Sequence, residues 1–177
     1  ATPERVALRD ALDRILAEDL VATQPVPAHT NSAMDGYAVR GADLPAADAV
    51  PFHVIGEAFA GHPFTGEVHA RECVRIMTGA VLPQATDTVV IQEDVQRTGA
   101  TVHIGSGHRV GQHVRRAGED LAIGAMVLTA GRRLRASDLG LMASLGIVEV
   151  RVRRRLRVAF FSTGDELRSL GETLGPG

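Results

Sequence analysis

Asn31, Ser32 and Asp35 place an amide, a hydroxyl and a carboxylate within five positions of the stretch Thr30-Asn31-Ser32-Ala33-Met34-Asp35-Gly36-Tyr37-Ala38-Val39-Arg40. Gly36 lets the backbone turn where other residues resist. Several donors and acceptors around one fixed negative charge suit chemistry on a phosphorylated or metal-bound substrate. The same composition also describes an Asx-type turn closed by glycine. A second polar turn, Ser162-Thr163-Gly164, lies between the apolar run Val158-Ala159-Phe160-Phe161 and Asp165-Glu166-Leu167. If a strand leads into it and a helix out of it, its hydroxyls and free backbone N–H groups form an anion site. Asp165 and Glu166 would repel an anion unless a divalent cation intervened, and their hard oxygens suit Mg²⁺. Helix capping, with both acids complementing the dipole, accounts for the same residues. Thr78-Gly79 follows an apolar segment and precedes Leu82-Pro83, which sets the Thr78 hydroxyl on a strand end or tight turn.

Other candidates carry less. The seven histidines include His103, His108 and His113, whose five-residue spacing shares no helical face. Glycines separate them, so a loop could still gather them. Arg115, Arg116, Glu119 and Asp120 form a charged turn, either solvated surface or a place where an arginine meets a phosphate. Cys73 stands alone in Glu72-Cys73-Val74-Arg75, which has the pattern of a strand and a buried structural thiol. Neither a P-loop lysine motif nor a paired cysteine cluster is present.

The elements that must position these groups follow from composition and periodicity. The chain has 177 residues, enough for one large domain or two small ones with a buried core. Apolar residues make up 45% but aromatics only 3%, so that core is built from Val, Leu, Ile and Ala. A formal net charge of −2 gives no electrostatic case for nucleic acid or an anionic membrane. Arg153-Arg154-Arg155-Leu156-Arg157 has no interleaved aromatics and suits a solvated connector. The single cysteine, the lack of a membrane-length apolar run and the mixed-charge amino terminus point to a soluble cytoplasmic protein.

Leu8, Leu12, Ile15, Leu16 and Leu20 recur at helical spacing, which predicts an N-terminal amphipathic helix with Thr2 and Pro3 at its start. From 44 to 135, short β-branched segments alternate with glycine, proline and histidine turns. Phe52–Ile55, Val74–Met77, Thr88–Gln92, Thr101–Ile104 and Met126–Thr129 read as strands of an all-β lobe. Ser137 caps a short helix ended by Gly146, and Ile147–Val152 alternates as a strand. Val158–Phe161, the Ser162-Thr163-Gly164 turn and a helix from Asp165 to Leu170 are the opening of a parallel α/β unit. The predicted class is thus mixed α/β and mainly β: a helix and a β-rich two-lobe module, then the start of an α/β domain.

Four segments of this chain, in order, resemble the molybdopterin molybdenumtransferase family. They are Asn31-Ser32-Ala33-Met34-Asp35-Gly36-Tyr37-Ala38; Arg75-Ile76-Met77-Thr78-Gly79-Ala80 leading to Asp87-Thr88-Val89-Val90; Val114-Arg115-Arg116-Ala117-Gly118-Glu119-Asp120; and Ser162-Thr163-Gly164-Asp165-Glu166-Leu167. Thr30, where the family often has an acidic residue, and Val81, where it often has a small residue or proline, are the departures. The resemblance implies an enzyme that inserts molybdate into adenylylated molybdopterin with help from Mg²⁺ and releases AMP. It implies Asp35, Thr78 and Glu166 as catalytic groups. Asn31, Ser32, Gly79, Ser162, Thr163, Gly164 and Asp165 would bind substrate, and the metal ligands stay unassigned. It implies a first lobe of residues 1–43 and 136–156, an inserted β lobe of 44–135, and a molybdopterin-binding α/β domain beginning at 157 and broken off at 177. The family's members act as homodimers, with sites shared between one subunit's first lobe and its partner's third domain, and other cofactor-biosynthesis proteins are further partners. A non-catalytic scaffolding module of the same fold is the alternative.

Overall fold

The computed structural model describes residues 2–164 and 166–176. Its strands are β1 (Pro3–Ala7), β2 (Leu20–Val21), β3 (Asn31–Ser32), β4 (Gly36–Val39), β5 (Val50–Ala58), β6 (Glu72–Ile76), β7 (Thr88–Ile91), β8 (Val95–Thr98), β9 (Thr101–Ile104), β10 (Val114–Arg115), β11 (Met126–Leu128) and β12 (Glu149–Arg153). One α-helix, α1 (Ala136–Ser144), stands among them. The fold of the described residues is mostly β.

Six strands form one sheet in the order β7-β4-β6-β5-β9-β8. Only β5 and β6 run parallel; the other neighbours are antiparallel. Apolar residues alternate between its two faces, as the period of a pleated strand requires. Tyr37, Val39, Cys73 and Val90 pack on one side with Phe52, Val102 and Ile104. Ala38, Val74, Ile76 and Val89 pack on the other with Ala58, Val68 and Ala80. Each fully buried Val or Ile contributes about 1.5–3 kcal/mol. Both faces being covered, β4 has no exposed residue, which makes it a rigid central strand. The five strands expected between 44 and 135 are all formed, as parts of β5, β6, β7, β9 and β11, but β11 lies outside this sheet: it pairs with β2, and its Leu128 packs in the other core. β4 belongs to this sheet too, although its residues fall within the stretch the sequence reading groups with the first lobe.

The N-terminal helix is not formed. Pro3–Ala7 is instead a strand paired antiparallel with β12, and Leu8–Asp10 is a single 3₁₀ turn. Beyond it Asp13 adopts φ +62°, and Ile15 and Leu16 bridge Arg133 and Val152. Helical spacing was a coincidence of a strand–turn–strand path. Leu16 is buried while Leu12 is 47% exposed, which an inward stripe could not give. Arg14, which a helix would hold in water, is buried and donates to the Arg153 carbonyl at 2.9 Å and to the Glu4 carboxylate. Long-range strand pairing has overridden local propensity. Pro3 suits the first residue of a strand equally well.

The short helix and the strand after it are present. α1 starts one residue before the expected Ser137 cap, because Asp138 takes over the capping. Its carboxylate accepts from the Arg135 N–H at 2.9 Å and from two nitrogens of Arg132 at 3.0 and 2.9 Å. Gly146 ends the helix with φ +73°. α1, β1, β11 and β12 enclose a separate core of Ala11, Leu16, Leu128, Leu134, Met142, Val150 and Val152. The strand expected over Val158–Phe161 and the helix expected through Leu170 are not formed among the described residues. Phe160 and Phe161 are 93% and 88% exposed, and no neighbouring strand is there to satisfy their backbone. Asp165 lies outside the described residues.

Candidate functional site

Sheet register brings Asp35 to Thr78. β4 opposes β6 with Gly36 facing Ile76, and opposes β7 with Gly36 facing Ile91. The residue before β4, the second residue after β6 and the first after β7 therefore share one end of the sheet. These are Asp35, Thr78 and Gln92. Both the backbone N–H and the hydroxyl of Thr78 donate to Asp35 Oδ1, each at 2.8 Å. The Gln92 N–H donates to the Asp35 carbonyl at 3.1 Å. Among the described residues Asp35 Oδ2 accepts no hydrogen bond, so the half-buried carboxylate presents one committed oxygen and one open one.

The electrostatics follow from those bonds. The Thr78 N–H, then the Thr78 hydroxyl, then the charge of Arg75 hold the Asp35 carboxyl below its ordinary pKa. Bonds to the charged form favour ionisation. A low pKa makes Asp35 a poor general base and a dependable anionic acceptor, suited to orienting water or a substrate hydroxyl or amide.

The loop between β3 and β4 is braced on three sides. The Gly79 N–H donates to the Ser32 carbonyl at 2.8 Å, and the Ser32 N–H to the Ala80 carbonyl at 3.0 Å. The Ala33 N–H donates to the His113 carbonyl at 2.9 Å. Ser32 is buried, and its hydroxyl donates to the Met34 carbonyl and accepts from the Met34 N–H, so it serves the turn. Asn31 pairs with Arg115 across β3 and β10 and bridges Val81. Gly79 turns the chain after Thr78 with φ +80°. Gly36 is required for a different reason: a Cβ there would sit 2.1 Å from the Val90 carbonyl oxygen.

Asn31, Ser32, Asp35, Thr78 and Gly79 are thus gathered in one corner. Ser162, Thr163, Gly164 and Glu166 are not; all four are exposed, and no hydrogen bond or ion pair among the described residues ties them to Asp35.

Arg115 is clamped rather than free. Its Nε donates to Glu119 at 2.9 Å and its Nη2 to both oxygens of Asp120 at 2.6 Å. Arg116 is exposed at the rim of an open recess of about 310 Å³ shared with Thr30, Thr86, Asp87 and Gly111. Cys73 is fully buried, and burial pushes its thiol up to about 12, which removes it as a nucleophile at neutral pH. Among the described residues no three His, Cys, Asp or Glu side chains converge as a metal site, and no helix is long and apolar enough to cross a membrane.

Two residues of the corner escaped the sequence reading. Arg75 donates from Nη1 to the Gly36 carbonyl at 3.2 Å and from Nη2 to Gln92 Oε1, with its guanidinium 5.1 Å from the Tyr37 ring centroid. Gln92 also donates from Nε2 to Glu93 Oε1 at 3.0 Å. Two signals were available for Arg75: it opens the family-like segment Arg75-Ile76-Met77-Thr78-Gly79-Ala80, and it is a charged residue inside the apolar run Cys73-Val74-Arg75-Ile76.

The site is thus an acid–threonine pair at one end of the six-stranded sheet of a mostly-β unit. The family model for the MoeA N-terminal region (domain I and II) matches residues 1–146, and the chain belongs to that family. It is 44% identical to the molybdopterin molybdenumtransferase of Haemophilus influenzae, over 98% of this chain and 43% of that protein. Against the molybdopterin molybdenumtransferase of Bacillus subtilis it is 37% identical, over 98% of this chain and 42% of that protein. The crystal structure of the molybdopterin biosynthesis MoeA protein from Pyrococcus horikosii superimposes with a TM-score of 0.90 at 34% identity, over 99% of this chain and 46% of that one. The chain therefore spans less than half the length of these relatives.

Proposed function

We propose that this chain is the N-terminal part of a molybdopterin molybdenumtransferase, which inserts molybdate into adenylylated molybdopterin and releases AMP. One observation carries the reading. Asp35 is held ionised by Thr78 with its second oxygen open, in a chain 44% identical to a protein of that name. In this reading Asp35 orients the water or substrate group that takes part in cleaving the adenylate bond. Thr78 fixes Asp35 and, from the exposed end of the sheet, contacts substrate. Asn31, Ser32 and Gly79 shape the loop that receives the substrate. Glu166, with Ser162, Thr163, Gly164 and Asp165, acts from the segment that opens an α/β domain and completes the site once that domain is in place.

Residues 1–43 and 136–156 are taken as the first lobe, 44–135 as the inserted β lobe and 157–177 as the start of the third domain, with β4 crossing into the β lobe's sheet. Among the described residues no three His, Cys, Asp or Glu side chains converge, and Mg²⁺ commonly takes only one or two protein carboxylates beside substrate phosphates. The ion expected in this reading would take ligands from substrate phosphates or from chain beyond the described residues, and no step here runs through it. A homodimer in the cytoplasm, with further biosynthetic proteins as partners, completes the proposal. The apolar groove between Leu8, Leu139, Ala143 and Val148 is consistent with such an interface.

The test is AMP release by the complete protein supplied with adenylylated molybdopterin and molybdate. Asp35→Asn should cut turnover by roughly 100-fold while leaving the melting temperature within about 3 °C of wild type. Wild-type turnover in that variant would remove Asp35 from catalysis.

A further inference from the structure

Asp35 lies just before β4, and its open oxygen must keep one direction to be of use. Thr78 holds the other oxygen, and two backbone carbonyls are tied on either side of the Asp35–Gly36 junction. The Asp35 carbonyl is held by the Gln92 N–H at 3.1 Å, and the Gly36 carbonyl by Arg75 Nη1 at 3.2 Å. The same guanidinium reaches the Gln92 side chain through Nη2 and lies over Tyr37, the residue after Gly36. Arg75 thus binds both strands that flank Asp35: β4 through Gly36 and Tyr37, and the end of β7 through Gln92. Residues 75 and 37 face each other in register across β6 and β4, which lets one side chain span this distance.

We propose that Arg75 is a positioning residue for Asp35. Its planar fork locks the two peptide units around the acid, so that the open carboxylate oxygen stays aimed at the substrate. This function requires a fork and not merely a charge. A lysine ammonium in the same place could meet Gly36 or Gln92, but it has no rigid pair of donors set to hold both at once. The inference rests on the transferase reading for its effect on turnover. Its effect on the backbone is independent of that reading. Charged neighbours of Arg75 include Glu57, its register partner on β5, and Glu93 from the turn after β7, which Gln92 Nε2 holds at 3.0 Å.

The test compares wild type, Arg75→Lys, Arg75→Gln and Asp35→Asn in the complete protein, using kinetics of AMP release and hydrogen exchange of peptides covering 34–37 and 91–94. Misalignment of a reacting group by about 1 Å costs on the order of 100-fold in rate. In Arg75→Gln, kcat should fall roughly 10- to 100-fold with KM for adenylylated molybdopterin changed less than about 3-fold. Arg75→Lys should keep most of that loss. Exchange in both peptides should accelerate about 10-fold or more in either variant, while peptides from β8 and β9 stay as in wild type. A wild-type kcat in Arg75→Lys would overturn the requirement for a fork. Unchanged exchange around Asp35 in Arg75→Gln would overturn the positioning role itself. Should Asp35→Asn turn over normally while Arg75→Gln still loosens both peptides, the transferase role of Asp35 fails and the structural lock stands.

Discussion

Two polar turns in this molecule look alike as sequence and differ in almost everything else. Asn31-Ser32-Ala33-Met34-Asp35-Gly36 and Ser162-Thr163-Gly164 both combine hydroxyls, a glycine and nearby carboxylates beside an apolar segment. The first is fixed by the Gly79, Ala80 and His113 backbones and by both donors of Thr78. The second is exposed throughout its described residues, and the phenylalanines before it face solvent. What separates them is the presence of neighbouring strands. A turn becomes a site when other parts of the chain supply the donors that fix its acid. The register of β4 against β6 and β7 does this at Asp35, and no described element does it at Thr163.

The largest effect should come from breaking the first turn at its tightest point. Gly36→Ala would drive a Cβ against the Val90 carbonyl oxygen, a backbone atom that cannot move without shifting β7. We expect a loss of about 3 kcal/mol or more, lowering the melting temperature by about 10 °C. Phe161→Ser, in the exposed segment before the second turn, should leave the melt of this chain unchanged. Calorimetry on the two variants decides it: comparable losses in both would mean that the tail is packed after all.

A smaller effect is expected in the other core. Asp138 is buried and accepts from Arg132 and from the Arg135 N–H, so its loss strands donors of both residues. Asp138→Ala should cost about 1–3 kcal/mol, and Asp138→Asn somewhat less. The Arg132 guanidinium holds the Asp138 carboxyl below its ordinary pKa. A depressed carboxyl contributes stability that is present above its unfolded pKa and lost as pH falls through its folded value. The gap between wild type and Asp138→Asn should therefore be full at neutral pH and shrink only in acid below the usual carboxylate range. A gap that stays constant as pH is taken well below that range would mean that the ion pair adds nothing to the geometry.

How much of this was legible in the sequence depends on the range of the interactions. Four strands of the six-stranded sheet, β5, β6, β7 and β9, announce themselves through β-branched runs bounded by turn residues, and α1 through its periodicity and Gly146, whereas β4 and β8 do not. The N-terminal stretch misled because Leu8, Leu12 and Leu16 fit a helical stripe. The contacts that settle its structure, from Arg14 to Glu4 and to the Arg153 carbonyl, span up to 139 positions. Asp35 and Thr78 were found through motif resemblance, yet their direct bond was not foreseeable, since it depends on the β4–β6 register. The role of Arg75 was hidden for the same reason: its partners, Gly36 on β4 and Gln92 just after β7, come together only through the sheet register.

The finest distinction concerns which of the two Thr78 donors matters more to Asp35. The backbone N–H makes the larger contribution to the lowered pKa and the hydroxyl the next, with both bonds at 2.8 Å. Thr78→Val removes only the hydroxyl and preserves the branched shape, so the backbone bond should hold the acid in place. The Asp35 carboxyl, followed by carbon-13 NMR, should then titrate at a higher pH than in wild type while remaining below an ordinary aspartate. Thr78→Ser should restore the wild-type midpoint, because the hydroxyl returns on the same backbone. If Thr78→Val brings Asp35 all the way to ordinary behaviour, the hydroxyl was the dominant donor, and the backbone of the turn follows the side chain instead of leading it.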